Sequence, residues 1–440
     1  MGLPEQNSAE NLEIKESALV TAGWSAEARK DAFERTMKSG LPTARDEYWK
    51  YTNPKSLTSK KVEKAPLSKE KDGAMFTGAN PIKIVFVDGK FAPKKSADFE
   101  VSGLSVERLS IINKLDLHWA KDVYGKYEKL SQESVTRPLA SYNTAYADEG
   151  VVIHVSERIE RPINIIYEHS DEYSDVILRH IIKIDDNAEL TLLENGPAAA
   201  RLNQVMEVKL SDGAKFNHIR VLGRDHERRT ATHIFGELGG KAKFKSFTLT
   251  VNGVLTRNEC FLNINGDDAA AHISGACIGD GDFHHDDTVF ITHDAVGSES
   301  RQVFKKVLRN GATGVFQGKI LVKPNAQKTD GYQISQSLLL DEDSQFLAKP
   351  ELEIYADDVA CSHGSTSGAI DEEALFYLTS RGISKQIAID MLTMAFLAEA
   401  VEEIENIKLK QVILDLLTNW LERHRSCLLY TSDAADDKCS

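Results

Sequence analysis

Cysteine is scarce in this chain: five in 440 residues, Cys260, Cys277, Cys361, Cys427 and Cys439. They form no CxxC pair and follow no regular spacing, which excludes a disulfide-stapled fold and reads as a reducing compartment. No apolar run approaches the ~20 residues that span a bilayer. The first thirty residues do not join a basic start to an apolar core and a small-residue cleavage site. A cytosolic protein without a membrane partner is expected. Basic charge is also in deficit, the formal net charge being -14. A field of that sign repels phosphate backbones, so nucleic acid is excluded as a partner.

Several catalytic patterns are missing as well. Gly318-Lys319 is followed by Ile320, and Thr313 stands where a phosphate-cradling loop needs its first glycine, so no ATP site of that kind is expected on this chain. Gly364-Ser365-Thr366-Ser367-Gly368 imitates a nucleophile elbow, but Thr366 occupies the nucleophile position and no strand–helix series surrounds it. His284-His285-Asp286-Asp287, with His293-Asp294 downstream, has metal-ligand residue types without a ligand spacing. Adjacent histidines on a strand point to opposite faces. Cys260 and Cys277 sit among apolar neighbours and read as core.

What is present divides the chain. A 41% hydrophobic composition over this length supports a large core and two or three domains. Ser25 is placed to cap a helix through Ala28, Phe33 and Met37 that stops at Gly40. The aromatic cluster Tyr48-Trp49-Lys50-Tyr51 follows, then a Lys-rich stretch from Lys55 to Lys71 with the composition of a linker. From about residue 150 to 350 short β-type runs dominate, punctuated by Asn-Gly or Asp-Gly pairs at Asn195, Asp212, Asn252, Asn265, Asp280 and Asn310. No long amphipathic helix interrupts them. That excludes alternating βαβ architecture and leaves a sandwich, a barrel or a solenoid. Turn pairs recurring after roughly 13 to 16 residues favour the solenoid.

Helix returns at the C-terminal end. Asp371 is placed to cap Glu372 to Ser380, with Gly382 behind it, and Ser384 to start a second helix through Ile387, Met391, Ala395 and Ala398. A third carries Leu409, Val412, Ile413, Leu416, Leu417, Trp420 and Leu421 on one stripe. Residues 426–440 break from that pattern and read as translated adapter or vector sequence. The boundaries are a helical region and linker at 1–75, a β core at 76–350, a helical domain at 351–425 and the tail.

One segment resists a bland reading. Cys361 and His363 lie two apart in an extended run and project to one face, where thiolate and imidazole can meet a single metal such as iron. Asp357 and Asp358 attract cations and oppose a free thiolate, which suits binding better than nucleophilic catalysis. Two ligands do not complete a coordination shell, so the others must come from another chain.

These residues carry a resemblance. Lys349 to Val359, continuing through Cys361-Ser362-His363-Gly364 to Phe376-Tyr377-Leu378 and Ser380-Arg381-Gly382-Ile383, resembles the C-terminal signature of the SufB/SufD family. Gly40-Leu41-Pro42-Thr43, Glu47 and Trp49-Lys50-Tyr51-Thr52 resemble the N-terminal signature of its SufD branch. Gly314 to Ile320 and Ala326 to Asp330 match too, and the likeness spans about residues 40 to 422. It implies a mainly β fold, a right-handed parallel β-helix between helical domains. It further implies a non-catalytic subunit of an iron–sulfur cluster assembly complex, paired with a SufB paralogue and bound to a SufC ATPase through the C-terminal helices, with sulfur supplied by a cysteine desulfurase. Cys361 and His363 fall on the family's Cys-Ser-His positions, the His being the one implicated in cluster formation at the SufB–SufD interface, and are expected to hold iron or a transient cluster shared with SufB. Asp371, Phe376, Tyr377, Arg381 and Gly382 fall on the SufC side. Ser298 stands where relatives often carry Cys before the arginine Arg301, which puts a thiolate role for that loop in doubt. Flavin association and self-dimerisation stay open. So do two rival readings, a SufB-type chain that accepts persulfide directly and a β-solenoid enzyme acting on carbohydrate.

Overall fold

Side chains alternate between two faces along the central strands, and both faces are largely buried. In Lys215–Leu222, for example, Phe216 and His218 turn one way while Ile219 and Val221 pack the other. Both faces of such a strand need cover. The chain supplies it by winding successive strands alternately into two stacked parallel sheets. In the computed structural model, which describes residues 11–20, 22–67, 75–97, 100–222 and 227–436, with side chains described through 424, the sheets hold ten and nine strands and form a mainly β solenoid of about seven turns.

The coil is two strands long. Ala270 pairs with Glu299 and Glu299 with Asp330, offsets of 29 and 31 residues, about twice the turn recurrence read from the sequence. The corners are cut where expected: Asn310 and Gly311 both take positive φ, 55° and 86°, between Glu299–Arg309 and Thr313–Val322.

Three apolar layers result. The lumen is filled by residues such as Ile165, Leu192, Phe216, Phe244, Ile291 and Phe316. Outside the ten-stranded sheet, Ile219, Leu249 and Val307 pack against the C-terminal helices through Leu397, Ile413, Leu417 and Trp420. Outside the nine-stranded sheet, Val205, Phe235 and Phe290 pack against Trp24, Tyr124 and Tyr127 of the N-terminal part.

The helices Glu372–Ser380, Lys385–Val401 and Ile407–Asp436 stand where the periodicity puts them. Asp371 accepts hydrogen bonds from the Glu373 and Ala374 amides, and Ser384 from that of Ile387. The last helix keeps its backbone regular through Asp436, so secondary structure runs on into the stretch read as a tail. The first helix, Ala26–Ser39, ends at Gly40 as expected but starts differently. Ser25 makes no side-chain cap: its hydroxyl donates to Asn113 and accepts from Arg29 Nε. The buried face is Arg29, Ala32 and Thr36, and Met37 is exposed. Arg29 can be buried because the Tyr124 ring, 5.1 Å away, and the Ala145 carbonyl receive its guanidinium.

The strands continue past residue 350, as Gln345–Ile354 and Val359–Gly368, before helix resumes. At the opposite end the short strands Lys90–Phe91 and Leu104–Arg108 turn antiparallel and blunt the sheets. Among the described residues no strand pairs with the outer edges of Gln345–Ile354 or Val359–Gly368.

Candidate site at the open end of the solenoid

Cys361 and His363 lie on the terminal strand Val359–Gly368, on its lumen side. Parallel pairing sets Cys361 opposite Gly331, His363 opposite Gln333 and Ser365 opposite Ser335. Paired residues on parallel strands share a face. The flanking pairs prove it: a Cβ added at Gly331 would meet Cys361 Sγ at 3.1 Å, and Ser335 donates to the Ser365 hydroxyl at 3.1 Å. Gln333 is fully buried by the strand that follows it, whereas His363, with no strand beyond it among the described residues, is exposed.

Cys361 is half-buried against a small cluster of Ile320, Val322, Ala326 and Ala356. Burial pushes its thiol up, with Asp330 adding to the effect and the Gly331 amide opposing it. The acid beside this thiol is therefore Asp330. Asp357 and Asp358, which the sequence reading placed there, are exposed on the preceding turn, where the Asp358 amide donates to Gln327 Oε1. Among the described residues no three His, Cys, Asp or Glu side chains come together as a metal site.

The N-terminal signature reaches this same coil. Tyr48 donates to Glu351 Oε2 at 2.5 Å, Glu47 pairs with Lys349 at 2.7 Å, and the Gln317 amide donates to the Tyr48 carbonyl at 3.1 Å. Trp49 is covered by the Arg257 guanidinium, 4.1 Å from its ring. The aromatic cluster thus straps the outer face of the last coils, a long-range role without a local signal in sequence.

The histidine-acid run divides between the faces. Thr52 Oγ1 contacts His284 Nε2 at 2.9 Å and donates to Asp286 outside the sheet; inside, Lys306 Nζ bonds Asp287 Oδ2 at 2.5 Å and His285 Nδ1 at 2.8 Å. Both aspartates already have cation or hydroxyl partners. Ser298 is buried, bonded to His293 Nδ1 at 2.7 Å, and Arg301 is tied to Glu403 at 2.8 Å. Cys260 and Cys277 are core residues whose thiols burial pushes up to about 12. Gly318 and Gly364 lie within strands, so neither look-alike motif forms a loop.

The lumen holds a polar chain that the sequence reading missed. His180 Nε2 bonds the Tyr167 hydroxyl, which donates to Glu194; Arg220 bridges Glu194 and Thr232; Thr232 donates to Asn258, and Asn258 to Asp287. Its members are separated by 10 to 30 residues, so no local motif marks them.

At the C-terminal end, Asp371 caps a helix none of whose residues is buried. Phe376 is 74% exposed and Tyr377 54%, and Arg381 stacks on the Tyr377 ring at 4.4 Å. Gly382 follows with φ 87°. Ile387 and Met391 on the next helix are exposed too.

A helix-clad, two-sheet β-solenoid with one end blunted and the other left as open strand edges defines the class of protein. The chain belongs to the SufBD family: residues 166–396 match the family model described as the SufBD core domain of SUF system FeS cluster assembly, and residues 12–165 match that of the SufBD N-terminal region. It is similar to the iron-sulfur cluster assembly protein SufD of Escherichia coli, 27% identical over 387 residues covering 87% of this chain and 89% of that one. It is also similar to SufD of Bacillus subtilis, 26% identical with 83% and 86% covered, and to a SufBD family protein of Synechocystis, 23% identical with 89% and 90% covered. The expected solenoid and family are thus found. No helix among the described residues is long and apolar enough to cross a membrane.

Proposed function

We propose that this chain is the non-catalytic SufD-type subunit of a cytoplasmic SufBCD cluster-assembly complex, and that it works by presenting Cys361 and His363 from the open end of its solenoid to a SufB paralogue. The observation that carries the reading is the position of these two side chains on the inner face of an unpaired edge strand. Unpaired backbone donors and acceptors there favour pairing with another strand, and a paralogue with the same coil geometry has matching edges. Iron or the nascent cluster is the cargo. Thiolate and imidazole are both accepted by cluster irons, and the remaining ligands come from the paralogue. The elevated Cys361 thiol becomes a ligand by losing its proton to metal binding.

The exposed Phe376 and Tyr377 with Asp371, Arg381 and Gly382 form the SufC side. An apolar helix face of this kind marks a docking surface. ATP binding and hydrolysis occur on SufC, and its closure moves the C-terminal helices and opens the SufB contact to iron and to sulfur from the desulfurase. The test is a complex purified with His363→Ala. It assembles with unchanged stoichiometry, and its cluster yield, read from visible absorbance after reconstitution, falls. Full yield from the variant complex defeats the assignment.

A further inference from the structure

Gln333 lies one strand inside His363, and the lumen is shaped around it. It is 0% exposed, on the inner face of Thr329–Leu339, and its amide Nε2 donates to Gln302 Oε1 at 2.8 Å. Gln302 and Gln333 are register partners, as are Gln333 and His363, so the two glutamines form a ladder whose next rung is the imidazole. Across the lumen, Gly318 keeps the space: a Cβ there would stand 2.3 Å from Gln333 Nε2. The amide is thereby held to one side. Its oxygen, Oε1, is buried and has no hydrogen-bond partner within the chain. Leaving a buried acceptor unpaired forfeits its hydration without return, so a donor within reach is favoured strongly. Register partners are ~4.8 Å apart at Cα; on one side of this pair Ser335 and Ser365 touch through their hydroxyls, and on the other Cys361 Sγ lies over Gly331.

We propose that Gln333 is a positioning residue for His363: its carboxamide oxygen accepts the imidazole N–H, fixing one tautomer and directing the other ring nitrogen out of the open end toward the cargo. The inference rests on the reading of His363 as a ligand. A histidine ligand is normally oriented in this way, by an acceptor on its distal nitrogen. The bond also answers a specific problem of an edge strand, whose exposed side chain otherwise rotates freely and loses rotamer entropy on ligation.

The experiment is ring-nitrogen NMR on the full chain labelled with ¹⁵N-histidine, at about pH 8.5, above the imidazole range, with the His363 signals identified by their loss in His363→Asn. Wild type gives the widely separated nitrogen shifts of a single neutral tautomer. Gln333→Leu draws them together toward a tautomer average, and Gln333→Glu, which keeps an acceptor, restores the separation. The signals of buried His180 and His293 report that the lumen is intact. Should Gln333→Leu perturb them, Gln333→Met, closer in shape, gives the same readout. Averaged His363 shifts in wild type, or a tautomer ratio unchanged in an intact Gln333→Leu or Gln333→Met, overturn the proposal. Because this readout needs no iron, it separates from the ligand assignment. A His363-independent cluster yield beside a Gln333-dependent tautomer removes the ligand role and leaves the bond, whereas a Gln333-independent tautomer beside a His363-dependent yield does the reverse.

Discussion

Glu194 sits fully buried among Tyr167, Gln204, His218 and Arg220. Burial alone would raise its carboxyl, but Arg220 and His218 hold it well below the usual carboxylate range. Replacing it, as Glu194→Gln, leaves the buried Arg220 guanidinium without a counter-charge. We expect a loss of ~3–5 kcal/mol in denaturant unfolding, unlike the near-zero cost of removing an exposed pair such as Lys60–Glu13. Two histidines give the pH dependence its sign. Burial pushes His180 and His293 from 6.5 down to about 4, so both stay neutral in the fold while the unfolded chain takes up protons below 6.5. The unfolded state then binds more protons, and stability falls as pH drops from 6.5 toward 4, by up to ~3 kcal/mol for each residue. Melting temperature measured across that window should decline, and more shallowly in His293→Gln; a flat profile in the wild-type protein contradicts the burial argument. None of this was legible in sequence, because these partners are joined only when coils stack. The Cys361–His363 pair was legible, since a spacing of two on an extended strand determines a shared face. The identity of the nearby acid was not: Asp330 arrives from the neighbouring coil, 31 residues earlier.

At the scale of elements, signals a few residues long were readable and those needing distant partners were not. Asp371 and Ser384 cap their helices because the amides they serve lie two or three residues on. Ser25 has the same local context, yet Asn113, 88 residues away, takes its hydroxyl. The stripe of the last helix carried its own evidence, and Leu409, Ile413, Leu417 and Trp420 are buried against the sheet. Leu417→Ala should cost ~2–5 kcal/mol in thermal or denaturant unfolding, through the cavity it leaves. The first of the three C-terminal helices, Glu372–Ser380, behaves differently. Phe376 is largely exposed in the isolated chain, so Phe376→Glu should leave the melting temperature within about 2 °C of wild type while abolishing co-purification with a SufC-type ATPase. Retained co-purification would place the ATPase contact elsewhere.

For the whole molecule, the two ends differ in kind. One is closed by antiparallel strands, and the other stops at a coil strapped by the N-terminal aromatic segment and, among the described residues, left open along both sheet edges. The recurrence of turn pairs already pointed to a stacked coil, but periodicity is the same at every turn and does not say where stacking ends. Sequence periodicity therefore puts the start of the helical domain at 351, where the solenoid in fact continues through Val359–Gly368. On the proposed function, Cys361 and His363 acquire their chemistry only when a second chain completes that end. The most direct test is anaerobic reconstitution with iron and sulfide of this chain alone, the SufB paralogue alone, and the two together with SufC, read by visible absorbance and bound iron. This chain alone should hold no stable cluster, and the complex should build one in an amount lowered by His363→Ala. A stable cluster on the isolated chain, or a complex whose cluster yield is unchanged by His363→Ala, would contradict it.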